Sequence, residues 1–145
     1  MYGIAGLRVG FATGKAEILK DIKEIGPTFP ITGVAEYFVK NLLKKKVVIN
    51  KIRKKINNHK ILLENLLSEN KNIVVSDSVT NCLFFGHKNK NIFSELLKLN
   101  ILALNLNNQE GIREKNFVRV TIHSSTSLFK DLFSKLSKIV KKVWF

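Results

Sequence analysis

Two arginines in this chain stand where their charge could hold an anion. Arg8 lies between Gly6 and Gly10 in the run Gly3-Ile4-Ala5-Gly6-Leu7-Arg8-Val9-Gly10-Phe11. Its planar, permanently charged fork suits a phosphate dianion, and equally a carboxylate at a strand edge. Arg119 sits in Phe117-Val118-Arg119-Val120-Thr121-Ile122-His123, which alternates with the period of a strand. That alternation puts Phe117, Arg119 and Thr121 on one side and Val118, Val120 and Ile122 on the other. The aliphatic set reads as the core side, so Arg119 faces solvent or a cleft. The remaining reactive side chains form no constellation. His59, His87 and His123 are scattered without metal-ligand spacing and read as structural or surface residues, with no metal site. Cys82 reads as a small hydrophobe in the middle of a strand. No Ser-His-Asp arrangement and no phosphate-binding P-loop is visible.

The composition sets the class. The chain has 145 residues, 45% of them hydrophobic, and its mean hydropathy is near zero. These values indicate a globular domain with a real core. The longest apolar runs, such as Ile61-Leu62-Leu63 and Cys82-Leu83-Phe84-Phe85, are too short to cross a membrane. No signal peptide is expected, and a single cysteine fits a reducing cytoplasm. The net charge of +14 raises nucleic acid as a partner. The densest basic region, residues 40–60, argues against it. Its lysines alternate with Val47, Val48, Ile49, Ile52 and Ile56 at helical spacing, as on the solvated face of an amphipathic helix. Lysine also far outnumbers arginine, the better residue for bidentate recognition of phosphate or bases. The expected partners therefore include neither nucleic acid nor membrane.

The elements that must position the two arginines follow an α+β order. Residues 7–13 predict a strand. Residues 15–25 predict a helix with Ala16, Ile18, Leu19 and Ile22 as a buried stripe, ended by Gly26-Pro27. Residues 31–68 predict one long or broken helix, capped by Thr32 and kinked near residues 44–46, where the apolar register slips. Short β-branched or aromatic runs at 72–76 and 81–86 predict strands. Residues 91–99 predict a short helix, 101–104 a strand, 105–115 a loop and 117–123 a strand. Residues 125–143 predict a closing helix with Leu128, Leu132, Leu136, Ile139 and Val140 on one face and Ser125-Thr126-Ser127 as its cap.

Four segments carry a resemblance to a known family. Residues 3–11 resemble the Gly-Leu-Ala-Gly-Leu-Arg-hydrophobic-Gly-aromatic run of fold type I pyridoxal-phosphate aminotransferases of class I/II, in their histidinol-phosphate aminotransferase group. Pro27-Thr28-Phe29-Pro30-Ile31-Thr32-Gly33-Val34-Ala35 resembles that group's proline-containing crossover into a long interdomain helix. Asp77-Ser78-Val79-Thr80-Asn81-Cys82-Leu83 resembles its Ser-x-x-Asn segment. Residues 117–123 resemble its Leu-Arg-Ile-Thr-Ile-Gly strand. The four occur in the family's order with similar spacing, over nearly the whole chain.

The resemblance implies the end of a large pyridoxal-phosphate domain (1–30), a long interdomain helix region (31–68) and a small C-terminal α/β domain (69–145). It implies pyridoxal 5'-phosphate as cofactor, with Arg8 on its phosphate and Arg119 on the substrate carboxylate. The partners it implies are an amino acid, a 2-oxo acid and, in the full-length enzyme, a second copy. The family's cofactor-bearing lysine lies eight residues before the arginine, one position before Met1. This chain is therefore expected to hold no catalytic residue of its own and to be inactive alone. One departure bears on specificity. The family usually carries an arginine after the strand equivalent to residues 101–104, whereas this chain reads Ile101-Leu102-Ala103-Leu104-Asn105. A threonine-phosphate decarboxylase-like enzyme or a sugar- or capsule-pathway aminotransferase therefore stands as an alternative, and a non-catalytic basic binding module stands beside them.

Overall fold

The computed structural model describes residues 5–27, 30–107, 109 and 116–142. It divides into two compact units, Met1–Asn50 and Lys51–Phe145.

The first unit is helical. A single 3-10 turn, Ala5–Leu7, precedes α1 (Ala16–Ile25) and α2 (Gly33–Leu43). The strand expected over residues 7–13 is not formed. Residues 9–15 carry no regular structure, and among the described residues of this unit there is no second strand to accept their backbone hydrogen bonds. Thr32 caps α2 as expected, its Oγ1 accepting from Ala35 N–H at 3.2 Å. The helix breaks after Leu43, where Lys45 N–H turns back to Leu42 O, and α3 (Lys46–Ser68) begins. This is the kink that the slipping apolar register predicts. The stripe of α1 stays uncovered: Ile18, Ile22 and Ile25 are all exposed and the helix buries no residue. In this unit Ala35 and Ile49 are buried.

The second unit is a two-layer α/β sandwich. Its four strands run in the spatial order β1-β2-β4-β3, all antiparallel. They are β1 (Ile73–Ser76), β2 (Cys82–His87), β3 (Leu104–Asn105) and β4 (Phe117–Thr121). One sheet face is covered by the C-terminal part of α3, by α4 (Ile92–Lys98) and by α5 (Thr126–Val140). Leu63 and Leu67, Ile92 and Leu96, and Leu136 and Ile139 pack there against Leu83, Phe85, Val118, Val120 and Ile122. Truncating one of these fully buried leucines to alanine costs about 2–5 kcal/mol.

Three expectations are corrected by this packing. The strand expected over 101–104 is reduced to Leu104–Asn105, because β4 offers partners only to those two residues. Ser125 precedes α5 but gives its helix no side-chain cap; its hydroxyl bonds Ser127 Oγ instead, at 3.0 Å. Leu128 lies on the first turn of α5, beyond the covering layers, and is exposed, whereas Leu136, Ile139 and Val140 are buried. Most of the loop expected at 105–115 lies outside the described residues.

Gly86 closes the sheet on its other face. It pairs with Phe117 across the β2–β4 ladder. A Cβ at Gly86 would lie 2.3 Å from Phe117 Cδ2 and 2.8 Å from Asn116 O. The Phe117 ring therefore lies against the bare Gly86 backbone, and it is buried although it occupies the open side. Gly86→Val is expected to destabilise the domain by about 2–3 kcal/mol through forced displacement of that ring. Urea unfolding followed by circular dichroism measures it, and an unchanged midpoint would contradict the packing described.

An ionic clamp joins α4 to the chain after α5. Glu95 accepts from Lys98 at 2.7 Å and from Lys142. The Lys142 bond first, and the Lys98 bond second, hold the Glu95 carboxyl below its ordinary range. A depressed carboxylate contributes stability above its unfolded pKa and loses it as pH falls through the folded value. Glu95→Gln is expected to lower Tm at pH 7 by roughly 2–5 °C, as for a partly exposed ion-pair network. The difference from wild type should shrink steadily below about pH 4. A thermal melt series from pH 3 to 8 shows whether it does.

Candidate functional site

Arg119 is placed by the strictness of the β4 alternation. Val118, Val120 and Ile122 are buried on the helix-covered side, which turns Arg119 and Thr121 to the opposite, open face. Arg119 stands at the centre of the sheet, with Phe84 of β2 opposite it on one side and Leu104 of β3 on the other. Thr121 and Cys82 form the next pair along, and Phe117 and Gly86 the pair before. Beyond Phe84 the same row continues to Ser76 of β1. Arg119 and Thr121 are exposed, Phe84 and Cys82 half-buried. Among the described strand residues, the open face thus carries a single guanidinium set among uncharged side chains. Cys82 opens β2 rather than sitting mid-strand, and its Sγ lies 3.9 Å from Thr121 Oγ1.

The exit of β4 is tied down from α3. Nδ1 of His59 donates to His123 O at 2.9 Å; a carbonyl only accepts, so that nitrogen carries the proton. The His59 ring also stacks on Phe129 of α5, with centroids 3.9 Å apart and planes 11° from parallel. Together these contacts fix where β4 ends relative to α3 and α5. His87 is likewise structural: it is buried, and its Nδ1 accepts from Asn89 N–H at 3.2 Å. Burial, and secondarily the Lys90 charge, push its pKa down, so its ring stays neutral. His123 is exposed. No group of three or more His, Cys, Asp or Glu capable of holding a metal occurs among the described residues.

Arg8 belongs to the first unit. It follows the Ala5–Leu7 turn with a left-handed backbone, φ 54°, which costs an L-residue with a Cβ about 1–2 kcal/mol. A Cβ added at Gly6 or at Gly10 would meet nothing within 4 Å, and Arg8 itself is exposed. A strained, glycine-flanked guanidinium with open space on both sides is a fit surface for a phosphate group. Arg119 belongs to the second unit.

The described residues also line an open pocket of about 290 Å³ at the far end of β4. Ile101, Leu102, Ile122 and Leu128 line it, together with Asp131 and Lys135, which pair with each other at 2.8 Å. Arg119 is not part of that lining.

Phe84 and Leu104 as neighbours of Arg119 were not identified from the sequence. The period-2 run Cys82-Leu83-Phe84-Phe85 signals a strand, but its pairing partner comes from a ladder more than thirty residues away. No local pattern names that partner.

Comparison with known proteins agrees with this architecture. The family model for aminotransferase class I and II matches residues 1–136. A histidinol-phosphate aminotransferase of Caldanaerobacter subterraneus subsp. tengcongensis is 29% identical over 125 residues, 86% of this chain and 35% of the relative. One from Clostridium kluyveri is 28% identical over 138 residues, 94% of this chain and 38% of the relative. The chain therefore spans little more than a third of the length of these curated relatives. Among solved structures, a decarboxylase from Sulfurospirillum multivorans superposes with a TM-score of 0.76 at 21% identity, over 96% of this chain and 41% of that one. The L-threonine-O-3-phosphate decarboxylase of Porphyromonas gingivalis gives 0.71 at 19%, over 97% and 44%. The histidinol-phosphate aminotransferase of Clostridium acetobutylicum gives 0.68 at 22%, over 88% and 39%. At these identities the structural likenesses establish the fold, that of the C-terminal part of a fold type I aminotransferase. With the family model covering nearly all of its length, the chain belongs to the aminotransferase class I and II family.

Proposed function

We propose that this chain is the C-terminal part of a pyridoxal-phosphate-dependent aminotransferase that moves an amino group between an amino acid and a 2-oxo acid or related carbonyl. The observation that carries the reading is Arg119, exposed at the centre of the open sheet face in a chain of this family. Residues 1–30 are the end of the cofactor domain, 31–68 the interdomain helix region and 69–145 the small domain. The full-length enzyme is a cytoplasmic homodimer.

Arg8 holds the cofactor phosphate. Its charge is permanent, and the glycines beside it leave room for the phosphate to approach the backbone. Pyridoxal phosphate, when bound, supplies the electron sink for the proton shift at the substrate α-carbon. Arg119 grips the substrate carboxylate in two parallel N–H···O bonds and so orients the α-carbon. The His59–His123 bond and the His59–Phe129 stack keep the β4 exit, and with it that guanidinium, in place. The proton shift itself falls to the family's lysine, and the two arginines position the groups it acts on. A threonine-phosphate decarboxylase-like enzyme would use the same two anchors. The histidinol-phosphate aminotransferase names of the curated relatives support the transfer reaction.

Three measurements test this reading. The coding sequence directly upstream of the Met1 codon is expected to read serine-lysine in frame; a stop codon there would leave family ancestry without an enzyme, and favour a binding module. The chain mixed with stoichiometric pyridoxal phosphate, an amino acid and 2-oxoglutarate is expected to give no turnover. In the same mixture the phosphate should show a ³¹P shift that Arg8→Gln weakens roughly tenfold, the loss of a charge-assisted contact. Turnover, or a phosphate signal indifferent to Arg8→Gln, would refute the assigned roles.

A further inference from the structure

The segment that follows α4 joins no strand before Leu104, and a pocket opens beside it. α4 ends in a reversing cap. Asn100 is left-handed, φ 53°, its N–H donates to Leu97 O at 2.9 Å, and Ile101 N–H donates to Leu96 O at 2.9 Å. Leu96 and Ile101 are both buried, the apolar contact that accompanies such a cap. The cap fixes the direction of residues 101–103, and pairing with β4 begins only at Leu104. This segment and the end of β4 form two walls of the open pocket of about 290 Å³. The third wall is one face of α5, where Leu128, Asp131, Leu132 and Lys135 recur at helical spacing. Two features of these walls point to a ligand. Leu102 and Leu128 line the pocket while 90% and 51% exposed, so large apolar side chains from two elements meet water at one mouth. Asp131 and Lys135 pair beside them at 2.8 Å, with side chains 60% and 27% exposed. Opposite charges thus stand next to uncovered apolar carbon.

We propose that this pocket binds a free amino acid with a large apolar side chain. The ligand's ammonium pairs with Asp131 and its carboxylate with Lys135, and its side chain covers Leu102, Leu128 and Leu132. A solvent-exposed ion pair is worth little by itself. A ligand that brings both opposite charges opens that pair and makes two in its place. A ligand with one charge would separate Asp131 from Lys135 and leave one of them without a partner. Burial of the ligand's side chain removes its own apolar surface, and that of both exposed leucines, from water. A volume at the lower end for ligand sites suits a molecule the size of a single amino acid. Arg119 does not line this pocket, and the proposal does not rest on the carboxylate role given to it above.

Methyl NMR of the 145-residue chain tests it. The signals of Leu102, Leu128 and Leu132 are followed at pH 7 and fixed ionic strength while L-phenylalanine, 3-phenylpropionate or 2-phenylethylamine is added. The expected result is that L-phenylalanine moves all three leucines together with millimolar affinity. Loss of either head-group charge, in the other two ligands, should weaken binding about tenfold. The same titration on Arg119→Gln is expected to keep the leucine response, which separates this pocket from the Arg119 face. Asp131→Asn combined with Lys135→Gln should bring the three ligands to within about twofold of one another. Leu102→Ser, at an exposed position, should weaken L-phenylalanine several-fold and leave the rest of the spectrum unchanged. Leucine signals indifferent to L-phenylalanine would overturn the proposal. Equal affinity for the three ligands in the unsubstituted chain would overturn it as well, since the head group would then not be read. A leucine response lost in Arg119→Gln would also overturn it, by placing the ligand on the other face.

Discussion

The architecture of the second unit depends on β4 lying inside the sheet with strictly alternating sides. Its even-numbered residues are driven into the helix-covered core by burial of Val118, Val120 and Ile122. Its odd-numbered residues must then emerge on the other face. A shift of one position would bury Arg119 and expose three aliphatic side chains. An unpaired buried guanidinium is far more costly than a lost methylene contact, so burial energy itself fixes the direction of the arginine. The Gly86–Phe117 contact reinforces the same register from the open side, because at that point only a glycine leaves room for the ring.

The helices supply what the strands cannot. Leu63 and Leu67 of α3, Leu96 of α4, and Leu136 and Ile139 of α5 complete the core over one sheet face. The His59 bond to His123 O then ties α3 to the end of β4, and the Glu95 pair ties α4 to Lys142. The sheet is consequently braced beneath its open face. A rigid support holds a single arginine in a defined orientation, which a loop would do less precisely. The first unit differs. Its helices expose most of their apolar stripes, and its arginine sits on a strained turn and not on a strand.

The chemistry is divided accordingly. One guanidinium is presented on a glycine-flanked turn with open space around it, and the other on a flat, largely apolar sheet face. That contrast comes from the neighbours of each arginine, since the two side chains are chemically the same.

By itself the sequence determined the helix positions, the break near residues 44–46, the Thr32 cap and the side of β4 on which Arg119 lies. All of these follow from local periodicity or from one side chain bonding its own backbone. Its four ordered motifs also carried the family. It misplaced what depends on distant partners. Residues 7–13 have strand-like composition but no neighbouring strand among the described residues of their unit, and form none. Residues 101–104 are apolar enough for a strand, yet β4 pairs only with Leu104 and Asn105. The stripe of α1 has helical spacing but buries nothing. Tertiary structure alone decided that Phe84 and Leu104 flank Arg119 and that Phe117 lies on Gly86. Strand register is set by packing between segments far apart in the chain, and the period of either segment taken alone does not contain it.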